Sequence, residues 1–319
     1  MSAGNLRFVS AAEIDKILDF PSLIAALHEA FCADIETPLR HHHAIARDDG
    51  EAALLLMPAW TKEKAGSFLG TKTVTVFPGN LAKGLGSVAG TYLLMSGDTG
   101  EPLVTIDGHR LTLWRTAAAS ALAAKYLARQ DASHLLLIGA GALAPYLARA
   151  HAAVRPIKKV SIWNRSSARA EEVAENLAGE SFAAEVVSER EVAARDADIV
   201  TCITLSQTPV LEGDWLKAGA HIDLVGAFRP NAREADDAAI RRAKVYVDTR
   251  RGALKEAGDI VIPIAAGILK EGDVQGDLFD LCRGQAKGRD SAAEITLFKS
   301  VGTAIEDLAA AIKVWKKLA

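Results

Sequence analysis

One stretch constrains this chain more than any other: His134-Leu135-Leu136-Leu137-Ile138-Gly139-Ala140-Gly141-Ala142-Leu143-Ala144. A short, mostly apolar run leads straight into Gly-x-Gly-x-x-Ala, and a helical pattern over about Ala142–Val154 follows it. Each small residue then has a physical reason. Gly139 permits a tight turn, Gly141 lets the backbone approach a pyrophosphate, and Ala144 lets helix and strand pack closely. The helix start offers N–H groups and a positive dipole end to phosphate. A second strand, Lys159–Trp163, follows at the spacing of a βαβ unit. The fold class implied is α/β, a doubly wound parallel sheet of the Rossmann type that binds a dinucleotide.

The rest of that half keeps the same rhythm. The pattern predicts a helix at Ala168–Leu177 and strands at Ala184–Val187, Ile199–Ile203, His221–Val225 and Lys244–Asp248. The first half reads differently. Helical periodicity covers Ala11–Leu18 and Ser22–Ile35, and strand-like runs follow at His41–Ala46, Ala52–Met57, Ser67–Val76, Val88–Met95 and Leu103–Ile106. Turn signals separate them at Asp48-Asp49-Gly50, Phe77-Pro78-Gly79-Asn80 and Gly97-Asp98-Thr99-Gly100, which suggests an antiparallel sheet. An alanine-rich helix, about Leu111–Ala128, joins the halves. One long helix from about Ala292 to Leu318 is expected to return to the first. The expected domains are an α+β domain over 1–118, joined again by 303–319, and a Rossmann domain over 119–302.

Charge narrows the function classes. With 37 basic and 40 acidic side chains the net charge is −3, so nothing steers the chain toward nucleic acid or an anionic membrane. Cys32, Cys202 and Cys282 lack metal-ligand spacing and form no disulfide framework. No leader-like segment and no apolar stretch of membrane-spanning length is visible, and a cytoplasmic protein is expected. The run His41-His42-His43 is not a metal site on this reading, because neighbours on a strand point to opposite faces.

The strand Lys159–Trp163 ends in Asn164-Arg165-Ser166. An acid at this point accepts hydrogen bonds from the ribose hydroxyls and repels a 2′-phosphate. Asn164 is neutral, Arg165 can pair with phosphate, and Ser166 can donate a hydrogen bond. NADP(H) is therefore the expected cofactor, with NAD(H) as the alternative.

Taken in order, a longer series of motifs resembles the ornithine cyclodeaminase/mu-crystallin family. The series is Leu56-Met57-Pro58, Gly70-Thr71-Lys72, Phe77-Pro78-Gly79-Asn80, Thr99-Gly100-Glu101-Pro102, Leu111-Thr112 with Arg115-Thr116-Ala117-Ala118, the glycine turn, Val225-Gly226-Ala227 with Pro230, and Phe298-Lys299-Ser300-Val301-Gly302. The resemblance implies homodimers formed through the first domain and a substrate held between the domains. It implies cofactor contacts from Gly139, Gly141, Ala142, Leu143 and Ser300, beside Asn164, Arg165 and Ser166. It also implies that Arg40, Lys72 and Arg115 face the substrate, with Lys72 and Arg115 as the catalytic pair. Their chemistry suits a carboxylate, which a guanidinium binds through paired hydrogen bonds while a lysine adds a compact charge.

Three departures refine the resemblance. Phe228 stands where cyclodeaminating and alanine-dehydrogenating relatives place an acid–base aspartate, and a phenyl ring moves no proton. Leu55 stands where ornithine-using relatives place an acid, and Leu143 replaces a glutamine common in the glycine loop. The sequence is thus similar to the family's ketimine reductases, above all the bacterial Δ1-pyrroline-2-carboxylate reductases. The reaction this implies is reduction of a cyclic imino acid, five- or six-membered, to L-proline or L-pipecolate. Phe228 would pack on the ring, and the proton would come from Lys72 or solvent. Ornithine cyclodeamination with bound NAD, or non-catalytic NADPH binding, are the alternatives.

Overall fold

The computed structural model describes residues 6–47, 52–62 and 66–318. The turn expected at Asp48-Asp49-Gly50 lies outside them. The chain divides into two compact units, one running through Thr116 and resuming at Thr303, the other spanning Ala117–Gly302.

The first unit is built on strands β1 (Arg7–Val9), β2 (Ile35–Glu36), β3 (His41–Ile45), β4 (Ala52–Thr61), β5 (Phe68–Val76), β6 (Val88–Ser96) and β7 (Pro102–Asp107). They form one sheet in the order β1-β7-β6-β5-β4-β2, with β3 also paired to β4. From β3 to β7 the pairing is antiparallel, as short polar turns dictate. β1 joins β7 in parallel, a contact that three residues give no periodicity to announce. The helix expected from Ser22 starts earlier and spans Phe20–Cys32. Asp19 accepts the Ser22 N–H at 2.8 Å and Pro21 sits in the first turn, the chemistry of a capped helix start.

One level of this sheet matters most. Met57, Lys72, Tyr92 and Ile106 are cross-strand partners on β4 to β7, so their side chains share a face. Helix Ala304–Leu318 packs on β4, β5 and β6, and also against helix Phe20–Cys32.

The second unit contains β8 (His134–Ile138), β9 (Lys159–Trp163), β10 (Ala183–Val186), β11 (Ile199–Cys202), β12 (His221–Leu224), β13 (Ala243–Val247), β14 (Val274–Asp277) and β15 (Ile295–Lys299). All pair in parallel, in the order β10-β9-β8-β11-β12-β15-β13-β14. Strand order reverses between β8 and β11, where a doubly wound sheet opens its ligand crevice beyond the strand ends. Leu136, Ile138, Val200, Cys202, Ile222, Leu224, Val247 and Leu297 form the core of one face. Helices on both faces explain why these strands read as continuous apolar runs.

The single helix expected from Ala292 to Leu318 is two elements. Ile295-Thr296-Leu297-Phe298-Lys299 is a fully buried strand between β12 and β13, and Gly302 at φ +78° separates it from helix Ala304–Leu318. Its β-branched and aromatic residues suit a pleated interior, whereas the alanines beyond Gly302 suit a helix. Among the described residues no helix is long and apolar enough to cross a membrane.

Candidate active site

In the first unit two of the expected residues, Lys72 and Arg115, meet around two acids that the sequence did not single out. Lys72, on β5, is only 2% exposed. Its ammonium donates to Asp307 Oδ1 at 2.9 Å and to the Thr112 hydroxyl at 3.3 Å, and lies within ion-pair distance, 2.8 Å, of Asp307 Oδ2. Arg115, on helix Gly108–Leu127, donates from Nε to the same Asp307 Oδ1 at 2.9 Å and from Nη1 to Glu306 at 2.6 Å. Neither ion pair uses its Nη2. Glu306 and Asp307 are fully buried in the first turn of helix Ala304–Leu318. Acids there pass for partners of the helix dipole, so their sequence position carried no signal of a site.

Burial and the neighbouring Arg115 charge push the Lys72 ammonium down to about 8, against the pull of Asp307. Arg115 shows the opposite result. Burial works against its charge, but Asp307 and Glu306 hold it above its ordinary value. Arg40 precedes β3, whose first residue pairs with Leu56, so the same register continued would set it against Met57 beside Lys72. Its charge also acts on Lys72. Leu55 pairs with Val74, two residues along β5 from Lys72, and so faces the same side. Leu55 therefore puts an aliphatic chain, not an acid, on the Lys72 side of the sheet.

Tyr92 was also missed. It is fully buried, its ring lies where a Gly70 side chain would go, and its hydroxyl has no partner among the described residues. Burial, and then the Asp307 charge, raise its pKa.

In the second unit the glycine turn has the geometry the sequence implied. Gly139 lies at φ +118°, and a Cβ there would meet the Ile203 carbonyl at 2.8 Å. At Gly141 an added Cβ would meet nothing within 4 Å, leaving open space in front of helix Ala144–Ala152. Ala142 is exposed and Leu143 caps the helix with no side-chain hydrogen bond, so no side chain occupies the helix start. These residues fit a dinucleotide pyrophosphate. After β9, the Asn164 amide donates to the Ser166 carbonyl at 3.0 Å, and Arg165 and Ser166 are exposed.

Two other expected residues behave differently. Ser300 is buried after β15, and its hydroxyl donates to Asp248 at 3.3 Å beside the Val301 and Gly302 N–H groups. Phe228, in the loop after β12, is 39% exposed with the Arg229 guanidinium 5.6 Å over its ring. That loop is anchored by Glu234, which accepts from the Gly226 and Ala227 N–H groups and from Thr204 after β11. No group of three or more His, Cys, Asp or Glu among the described residues could hold a metal ion.

A parallel sheet with Gly-x-Gly-x-x-Ala at its switch point, joined to a sheet bearing a buried lysine–arginine–carboxylate cluster, defines an NAD(P)H-dependent oxidoreductase acting on an imine or amino acid. The chain belongs to the ornithine cyclodeaminase/mu-crystallin family, whose sequence profile matches residues 7–319. A Δ1-pyrroline-2-carboxylate reductase of Colwellia psychrerythraea is 39% identical over 98% of this chain and 100% of its own length. The solved Δ1-pyrroline-2-carboxylate reductase of Thermococcus litoralis, in complex with NADH and L-proline, superposes with a TM-score of 0.92 at 34% identity, covering 98% of this chain and 97% of that one. An archaeal alanine dehydrogenase dimer with bound NAD gives a TM-score of 0.89 at 30% identity, over 98% and 95% of the two chains.

These structures correct the expected preference for NADP(H), since both relatives hold the cofactor without a 2′-phosphate. The physical reason lies in Asn164-Arg165-Ser166. Lack of an acid removes a repulsion but builds no phosphate site, and the Asn164 amide is turned back onto its own loop.

Proposed function

We propose that this protein reduces the cyclic imino acid Δ1-pyrroline-2-carboxylate to L-proline with NADH as reductant. The observation that carries the reading is the Lys72–Asp307–Arg115 cluster, found in a chain that matches a proline- and NADH-bound reductase almost end to end. The substrate already contains C=N, so no amine is expelled and no water activated. That agrees with Phe228 in the aspartate position and Leu55 in the acid position.

In this reading Arg115, through the Nη2 that its acids leave aside, and Arg40 receive the substrate carboxylate. Lys72 gives a proton to the imine nitrogen. Bound NADH supplies the hydride that C2 accepts, and the C=N π electrons become the nitrogen lone pair. Gly139, Gly141, Ala142 and Leu143 hold the pyrophosphate, Asn164, Arg165 and Ser166 the adenosine ribose, and Ser300 shapes the crevice from behind. Phe228 covers the ring methylenes. The six-membered analogue differs by one methylene, worth about 1–3 kcal/mol, so both rings are accepted.

The outward face of the first sheet supports a homodimer. Phe8 and Trp60 are exposed, Leu69, Leu93 and Met95 are half-buried on the same face, and the archaeal relative is a dimer. An enzyme that draws on NADH belongs where that cofactor is recycled, which we propose is the cytoplasm.

The test is NADH consumption by the purified protein with Δ1-pyrroline-2-carboxylate, with L-proline measured as product. NADH should be used at least as efficiently as NADPH, and L-ornithine should release no ammonia. An inactive protein with the imine, or ornithine deamination at a comparable rate, overturns the reading.

A further inference from the structure

We propose that the two buried acids have separate tasks: Asp307 holds Lys72 as the proton donor to the imine nitrogen, and Glu306 holds Arg115 as the carboxylate receptor. The proposal rests on the reductase reading above and assigns positioning residues that reading does not contain.

The hydrogen-bond directions carry it. Thr112 gives its own hydroxyl proton to the Gly108 carbonyl at 2.7 Å, so it can only accept from Lys72. Asp307 Oδ1 accepts as well, and Oδ2 lies 2.8 Å away in the ion pair, so Lys72 is held by two placed hydrogen bonds and a carboxylate charge that favours its ammonium form. Asp307 Oδ1 is shared with Arg115 Nε, whereas Oδ2 pairs with Lys72 alone. When Lys72 turns toward a substrate nitrogen, Asp307 keeps its arginine and no buried charge is stranded. Glu306 has its ion pair with Arg115 Nη1, which fixes the guanidinium plane from the other end.

The groups facing Lys72 are Asp307 from helix Ala304–Leu318, Arg115 and Thr112 from helix Gly108–Leu127, Arg40 from the segment before β3, Tyr92 from β6 and the apolar Met57 from β4. Of these, Asp307 is the one that opposes loss of the lysine proton. In the step itself the Lys72 N–H bond breaks and a proton joins the imine nitrogen. Hydride reaches C2, the π pair moves to nitrogen, and water reprotonates Lys72.

Since the reactive form is protonated, kcat/KM should fall as pH rises through about 8 in the wild type. In Asp307→Asn the basic limb should move down by about 1–3 pH units, the usual effect of removing an adjacent opposite charge. Glu306→Gln should leave the limb in place and raise KM about tenfold or more. The direct readout is lysine 13Cε NMR titration, with Lys72 assigned by loss of its signal in Lys72→Arg. Equal limbs in wild type and Asp307→Asn overturn the division of tasks, as does a limb shift in Glu306→Gln. Should Asp307→Asn fail to fold, the wild type decides: Lys72 titrating near 8 together with the basic limb supports the proposal, and an ordinary lysine value or no limb sinks it. A wild type inactive with the imine removes the functional reading and this proposal together, whereas an active wild type failing these tests removes this one alone.

Discussion

Each unit buries a cluster of charge, and the two clusters use it differently. In the first unit Lys72 and Arg115 meet Glu306 and Asp307, two cations against two carboxylates, nearly all contacts running between side chains. In the second, Lys299 lies 3.1 Å from Asp259, and among the described residues Glu234 makes no ion pair. Glu234 instead collects the Thr204, Gly226 and Ala227 N–H groups, while Asp259 takes those of Glu234 and Ala235. One cluster holds side chains that can turn to a ligand; the other fixes main chain in the loops after β11 and β12. Buried charge does not by itself mark a site. Where its hydrogen bonds end is the better guide.

The largest effect should come from Arg115→Ala, which leaves Glu306 without the arginine and should cost about 3–5 kcal/mol in denaturant midpoint analysis. In the protein that still folds, kcat/KM for the imine should drop about a hundredfold or more. Ordinary kinetics there would reduce the first cluster to the structural role of the second. Next is Glu234→Gln, expected to cost about 1–3 kcal/mol above neutral pH because an amide NH2 then faces N–H donors. Burial, against Lys299 and with Asp259, pushes Glu234 up to about 7 from 4.5. The folded form therefore keeps a proton that the unfolded chain has lost, and this contribution to stability fades as pH rises from about 4.5 to about 7. Thermal midpoints across that window should show the decline in wild type and a flatter curve in Glu234→Gln. The smallest effect on stability belongs to Phe228→Asp, within about 0.5 kcal/mol because the side chain is partly exposed. It should slow imine reduction without creating ornithine deamination, since Leu55 still offers nothing to the second amino group. Ammonia release by that variant would show that position 228 alone chooses between the two reactions.

The Rossmann sheet was legible because its strands are buried apolar runs and its glycine turn stands between a strand and a helix with a second strand at the right distance. Lys72 and Arg115 were singled out through the family resemblance, Arg115 also as a charge interrupting an alanine-rich helix, and the structure gathers both around Asp307. Asp307 and Glu306 were not, because acids opening a helix satisfy a local rule and their burial depends on residues far away in sequence. β15 was merged into a helix because five residues between polar stretches give too short a period to separate the two forms. The cofactor expectation failed for a different reason: an absent acid was taken for a present phosphate site.

Asp307 follows Lys72 by 235 positions and Arg115 by 192. During synthesis both cations leave the ribosome long before their counter-charge exists. Burying them without Asp307 and Glu306 would strand charge, while Ala117–Gly302 carries its own acids and lysine in one continuous segment. The first unit's charge cluster is thus complete only once helix Ala304–Leu318 is present, although most of that unit is made before the nucleotide unit.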